Sequence, residues 1–313
     1  MLESADQTTT AVATAVVVAE IEAPEEEYKK KGIGVLAWIA IGWLTVIFLL
    51  AILVPFLGLK SPTSGDYLHP QAPLFSPGHI LGSDDSGRDV LSRVLWGARA
   101  SLIISVGSVL FGTLIGGFLG LYAGFKGGRA DSTLGAGFNI ILAFPQLVLA
   151  LTLVAVLAPS NGTGTPPTYG KRVIVVILAV GIVSIPILAR ITRANTLAWS
   201  QREFVNAARA QGASDWRVMF REVLPNVMPA ILSIALLGIA IVIVLEGTLA
   251  IFGLSVPEPS PSWGNMVFSQ ISQLDAAPPV WLVPSVLIFT TVLAFNYLGD
   301  VVRTKFDVRE SVL

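Results

Sequence analysis

Six long apolar runs dominate this sequence and constrain its fold more than any other feature. They cover residues 33–57, 100–125, 134–158, 173–189, 223–257 and 276–299, and Glu246 is the one charged residue within them. A helix needs roughly 20 residues to cross a hydrocarbon layer of about 30 Å. Because backbone groups inside lipid must be hydrogen-bonded within the protein, the runs predict six transmembrane helices.

The composition agrees with an all-α integral membrane protein. The mean hydropathy is +0.74, with 53% hydrophobic and only 13% charged residues, which is too apolar for an ordinary soluble domain. A net charge of -1 argues against nucleic-acid binding, which needs a strongly basic face. The absence of cysteine excludes disulfides, thiolate metal sites and cysteine nucleophiles.

The sequence contains no arrangement of side chains typical of an enzyme. We find no nucleophile elbow, zinc-binding helix or acid–base pair. Asp84, Asp85 and Asp89 lack the ligand spacing of a calcium loop, and we interpret His69 and His79 as solvated loop residues. We therefore expect a chain that is not an enzyme and has no metal site or cofactor of its own.

The basic residues predict the orientation. Six spans place both termini on one side, and fourteen of the 20 lysines and arginines fall on that side, so both termini are expected in the cytoplasm. The predicted parts are a mostly disordered cytoplasmic tail (1–31), a first transmembrane helix (32–58), an extracytoplasmic segment (59–99), a transmembrane core (100–301) that includes a cytoplasmic loop (196–225), and a C-terminal tail (302–313).

The cytoplasmic loop contains an arginine-rich stretch with the pattern of two short helices. Ser200 and Glu203 fit a capping box at a helix start, and Gly212 fits the residue that ends the helix. Ser214 fits the cap of a second helix. Such a pair can lie across a groove in a partner protein or on the membrane surface, with its arginines on lipid headgroups.

Four glycines in the second run favour close helix packing. Gly112, Gly116, Gly120 and Gly124 recur every four residues, a spacing that lets another backbone approach. The partner helix belongs either to this chain or to a second membrane subunit.

Glu246 and several prolines are the other unusual residues in the spans. A carboxylate in a membrane helix faces a cavity or a partner, so Glu246 is either a path or gate residue or a hydrogen-bonded lock between helices. Pro145, Pro186 and Pro229 predict kinks with free carbonyls, which are tolerated where neighbours or a water-filled path satisfy them.

Several segments together resemble a known family. Ala207, Ala208, Gly212, Leu224 and Pro225 match the EAA signature of ABC importer permeases, although Asn206 stands where the signature has glutamate and Glu222 where it has isoleucine. The segments 79–93, 97–102, 203–214, 252–254, 261–265 and 296–300 resemble C-type permeases of dipeptides and oligopeptides. The resemblance covers roughly residues 33–309.

This resemblance implies a type I ABC importer permease in a bacterial inner membrane, with one flanking helix and a five-helix core. Its implied partners are a second permease subunit, two ATPases that bind ATP and Mg, and an extracytoplasmic peptide-binding protein. The residues implied to engage the ATPase are Glu203, Phe204, Ala207, Ala208, Gly212, Trp216, Phe220, Leu224 and Pro225. The candidates for contact with the binding protein are Asp84, Asp85, Arg88 and Asp89.

Two alternatives remain at this point. A permease of the same family could transport nickel chelates or another small solute, because the cargo is selected largely by another subunit of the importer. A secondary transporter is less well supported, since such proteins usually show an internal repeat and a coupling-ion site, and we see no convincing repeat of halves.

Overall fold

The structure is a computed structural model, and it describes residues 34–66, 70–159, 167–270 and 278–310. Within these ranges every regular element is helical, and only isolated β-bridges occur. The all-α prediction is therefore confirmed. The predicted N-terminal tail, 1–31, lies outside the described residues, as do the last three residues of the chain.

Ten α-helices follow one another along the described chain. They are α1 (Val35–Leu53), α2 (Val90–Lys126), α3 (Gly128–Leu142), α4 (Gln146–Leu157), α5 (Tyr169–Ser200), α6 (Glu203–Ala210), α7 (Asp215–Val218), α8 (Leu224–Ile251), α9 (Trp263–Ser269) and α10 (Pro278–Glu310). A 3₁₀ turn, Val54–Phe56, extends α1, and a π-helical segment, Met219–Val223, joins α7 to α8.

Five of the six predicted spans are single long helices. Counting α7, the π-helical segment and α8 as one unit, five helices are long and apolar enough to cross a membrane. The predicted run 134–158 is not one straight helix, because α3 and α4 meet at an angle of 84°. The break comes at Pro145, whose ring cannot supply the backbone N–H that a continuous helix needs.

The second span is longer than its apolar run because polar residues start it. The side chain of Asp89 accepts a hydrogen bond from the Ser92 N–H at 2.8 Å and so caps the helix. α2 therefore begins at Val90, ten residues before the run. At 37 residues it is about 55 Å long.

The glycine stripe packs against α5 of the same chain. A methyl group added at Gly116 would lie 2.6 Å from the carbonyl oxygen of Ile185, and one at Gly124 would lie 2.7 Å from that of Arg193. The small residues therefore allow the α2 and α5 backbones to approach closely. Of the two interpretations given for the stripe, the structure supports packing within the chain.

α1 flanks the remaining helices, as the fold prediction expects. The indole of Trp43 donates to the hydroxyl of Thr291 in α10 at 3.2 Å, and Phe48 meets Phe295 edge to face. Ile47 and Ala294 belong to one apolar cluster that also includes residues of α2 and α8. A second cluster joins α2, α4, α5 and α8.

Candidate functional site

The helix pair predicted in the loop is present, but its first helix starts differently. α6 begins at Glu203 after an extended Arg202, and no side chain caps it. The predicted capping box is wrong, because Ser200 is the last residue of α5 and its hydroxyl donates to the Leu197 carbonyl at 3.1 Å. The serine thus bonds back into α5 instead of forward into α6.

Gly212 ends α6 as predicted. Its φ of +81° lies in the left-handed region that favours glycine. Its N–H donates to the Arg209 carbonyl at 2.9 Å, and the Ala213 N–H donates to the Ala208 carbonyl at 3.1 Å. These two bonds form a Schellman motif, which closes the helix and turns the chain sharply.

The second helix of the pair is continuous with a membrane span. Ser214 occupies the predicted N-cap of α7, although its side chain makes no capping bond. After Val218 the chain passes through the π-helical segment into α8. The wide π turn carries the helix to Pro225, a residue that has no N–H to donate. A force on α7 therefore acts directly on α8.

One face of the pair is buried against α2. Val205, Val218 and Val223 are fully buried and share an apolar cluster with Leu121 and Phe125. Met219 of the π-helical segment is also buried in this cluster. Met219 and Val223 therefore face α2 and are not accessible to another protein.

The residues expected to engage a partner remain accessible. Exposed are Glu203, Phe204, Ala207, Gly212, Trp216 and Pro225, and partly buried are Ala208, Phe220 and Leu224. Trp216 exposes 58% of its surface, which is unusual for so large an apolar side chain. The segment therefore exposes apolar side chains, among them Phe204 and Trp216, together with small residues.

Polar and aromatic contacts that the sequence did not reveal fix this segment to α2. Lys126 Nζ lies 2.6 Å from Asp215 Oδ2. The Arg209 guanidinium lies 5.0 Å from the centre of the Phe125 ring, a cation–π contact. Trp216 meets Phe118 edge to face, with 6.4 Å between ring centres. Residues about 90 positions apart cannot be paired from one sequence.

Glu246 lies near the other end of α8, in a cluster of hydroxyl donors. It is 1% exposed. Ser262 donates to its Oε1 at 2.7 Å and Ser101 donates to its Oε2 at 3.1 Å. Ser255 also donates to Oε1, and the Gly264 N–H is a further donor. The carboxylate of Glu246 thus links α2, the loop after α8 and the start of α9 through its hydrogen bonds.

This geometry favours the interpretation of Glu246 as a hydrogen-bonded lock between helices over its interpretation as a path or gate residue. Its donors come from α2, the loop after α8 and the start of α9, and at 1% exposure it leaves no accessible face for a passing solute. Gly264 also approaches Gly247 closely, since a methyl group added at Gly264 would lie 2.5 Å from the Gly247 Cα. The sequence could not show this, because three of the four partners are serines that look unremarkable.

The chain has clear relatives among known proteins. The family described as "Binding-protein-dependent transport system inner membrane component" matches residues 112–311. A glutathione transport system permease protein, GsiD, of Pectobacterium atrosepticum is 39% identical over 232 residues, which are 74% of this chain and 73% of that protein. A dipeptide transport system permease protein, DppC, of Alkalihalophilus pseudofirmus is 34% identical over 286 residues, 90% of this chain and 88% of that protein.

The chain belongs to this family of transport permeases. A solved structure of inward facing conformations of the MetNI methionine ABC transporter shares its fold, with a TM-score of 0.55 and 20% sequence identity. That match covers 69% of this chain and 97% of the other. The protein is thus a multi-pass membrane permease.

In this permease, an ion network holds the segment before α2 in place, with Asp84, Arg88 and Arg93 buried and Glu258 about half exposed. Arg88 Nε lies 2.7 Å from Asp84 Oδ2 and its Nη1 lies 2.8 Å from Glu258 Oε2. Arg93 is 1% exposed and donates to the carbonyls of Pro62 and Pro259. The network therefore joins the segment to the loop between α8 and α9.

Burial and charge have opposite effects on Arg88. Burial alone would lower the pKa of its guanidinium, but the carboxylates of Asp84 and Glu258 outweigh it and raise the pKa. Arg88 therefore stays charged at any physiological pH.

Among the four candidates for contact with a binding protein, only Asp85 is exposed. Asp84, Arg88 and Asp89 are buried in the folded segment. His79 is also buried, at 3% exposure, and its Nδ1 lies 3.0 Å from Asp89 Oδ1. Our interpretation of His79 as a solvated residue is wrong, and His69 lies outside the described residues.

Proposed function

We propose that this chain is a membrane-spanning subunit of an ATP-driven importer of dipeptides or oligopeptides. The observation that carries the proposal is the accessible surface of α6 and α7, on a segment that is continuous with one span and packed on another. The names of the relatives support peptides as cargo, since they are dipeptide and glutathione permeases. A permease for nickel chelates or another small solute is the second candidate.

The proposed partners follow from the family. Two ATPase subunits hold ATP and Mg and dock on α6 and α7, a second permease completes the path, and an extracytoplasmic protein delivers the peptide. Both termini and the docking segment, which comprises α6, α7 and the π-helical segment, then face the cytoplasm, in agreement with the distribution of basic residues. All ATP chemistry belongs to the partner subunits.

The coupling mechanism uses the two connections of the docking segment. When ATP draws the ATPases together, each carries its docked segment with it. α8 moves because it is continuous with α7, and α2 moves because Val205 and Val218 are packed against it. ATP binds the closed ATPase pair more tightly, so it shifts the population toward the permease state coupled to that pair.

Two aspartate substitutions on α6 test the docking surface. Ala207→Asp places a charge on the face that includes Phe204 and Ala208. Ala210→Asp makes the same change on the same helix, about 100° around from the centre of that face. In liposomes containing the complete importer, we expect Ala207→Asp to reduce ATP-dependent peptide uptake at least tenfold and Ala210→Asp to reduce it less than twofold.

Two further results would count against the proposal. Normal uptake by Ala207→Asp, with normal copurification of the ATPases, would remove the docking role. Labelling of a cysteine at Arg202 from outside intact cells would reverse the proposed orientation.

A further inference from the structure

Among the described residues, no donor reaches three backbone carbonyls at the break between α3 and α4. Phe144 donates its N–H to the Ile141 carbonyl at 3.3 Å, and the Pro145 carbonyl accepts from Leu149 at 3.0 Å. Across the described ranges, no backbone or side-chain donor reaches the carbonyls of Leu142, Ala143 and Phe144. The proline causes this, because it removes one donor and turns the chain away from the helix axis.

Two contacts locate the break along α5. On the α3 side, Asn139 accepts a hydrogen bond from Arg190, the first charged residue after the uncharged part of α5. On the α4 side, Ala150 belongs to the apolar cluster that includes Val180. The break therefore lies between the level of Arg190 and that of the apolar cluster, beside the end of the uncharged stretch 173–189.

The break is also uncovered. Ala143, Phe144, Pro145 and Gln146 are four consecutive exposed residues, with Phe144 54% exposed. Non-helical backbone is tolerated at membrane depth only where protein covers it or where it lines a water-filled cavity. The surface here is rich in acceptors, since the three carbonyls stand beside the amide of Gln146.

From this geometry we infer that the break lines the translocation path and binds the backbone of the passing peptide. The inference rests on the proposed function and adds the contact by which peptides of different sequence are accepted. Every peptide carries a protonated amino terminus and N–H donors whatever its side chains are. Carbonyls of Leu142, Ala143 and Phe144 can accept from these donors without reading the side chains.

The test uses single cysteines, because the chain has none of its own. Ala143→Cys and Gln146→Cys lie in the break. Val148→Cys is the control, because Val148 is also exposed but lies on α4, two residues after Gln146 and on a different side of the helix. The complete importer is placed in nanodiscs, so that both membrane faces meet a water-soluble, cationic thiosulfonate reagent. Labelling rates are measured without nucleotide and with a non-hydrolysable ATP analogue.

We expect cysteines at 143 and 146 to react at least tenfold faster than the cysteine at 148 in one of the two nucleotide states. With the binding protein and ATP present, trialanine should slow their labelling at least threefold. Trialanine methylated on its backbone nitrogens should protect less, because it lacks the N–H donors.

Labelling at 143 and 146 that is no faster than at 148 in both states would overturn the inference, provided the variants still transport. Equal protection by the two peptides would remove the backbone contact. Failure of the cysteine-free parent to transport any peptide would instead count against the proposed function.

Discussion

Lys126 and Asp215 join the end of α2 to the start of α7, with 2.6 Å between Nζ and Oδ2. Both side chains are about half exposed, and ion pairs this exposed to solvent stabilise a fold little. The pair therefore matters less for stability than for position, because it joins the start of α7 to the end of α2 in one register.

Reversing the charges of this pair should show whether the pair positions α7 on α2 or only stabilises the fold. We expect Lys126→Glu alone to lower peptide uptake per ATP hydrolysed about threefold, because two carboxylates then repel each other at the α2–α7 contact. Adding Asp215→Lys should restore the ratio. Uptake and ATPase activity are measured in the same liposomes, and a double variant as impaired as the single one would show that the pair does not position the segment.

The glycine stripe gives a second pair of matched variants. At Gly116 an added methyl group meets the Ile185 carbonyl, whereas at Gly117 it meets nothing within 4 Å. Gly116→Ala should therefore destabilise the permease by about 1–3 kcal/mol through overpacking. Gly117→Ala should be neutral or stabilising by up to about 1 kcal/mol. Thermal unfolding of the purified importer measures both, and equal effects would contradict the packing seen here.

The sequence predicted the spans well because lipid imposes a simple rule on length and polarity. It predicted the turn at Gly212 because a left-handed residue ending a helix has a strong local preference. Both signals are contained within a few residues, so tertiary contacts did not alter them.

The errors have different causes, some local and one a contact between distant parts of the chain. Ser200 was assigned to the wrong helix because α5 continues farther than its apolar run. Glu246 could not be assigned to a lock because its partner Ser101 is 145 positions away. The 84° break was expected only as a kink at Pro145, since a sequence shows the missing N–H but not the angle.

Glu246 should affect stability more than transport. Glu246→Ala removes the acceptor for three hydroxyls, and each buried group left unpaired costs about 1–3 kcal/mol. We expect a large loss of thermal stability or of assembled importer. Glu246→Gln keeps the shape and one strong acceptor, so its loss should be smaller and uptake per assembled importer unchanged. A fall in that uptake with normal stability would instead support a charged role in the path.

The last prediction concerns two adjacent carboxylates, Asp84 and Asp85. Asp84 is 1% exposed and holds both Arg88 and Arg93. Asp84→Ala removes their buried carboxylate and leaves them only the half-exposed Glu258, so it should cost up to about 3–5 kcal/mol.

Asp85 is exposed and lies 3.8 Å from Arg88 at its closest, so Asp85→Ala should leave the unfolding temperature unchanged. If the binding protein contacts this surface, Asp85→Ala will weaken its binding severalfold, and more at low than at high salt, because salt screens exposed charges. Titration of the binding protein against the importer in nanodiscs measures this. Unchanged affinity at low salt would exclude Asp85 from the contact and leave the segment 59–99 with a structural role in joining α2 to the loop after α8.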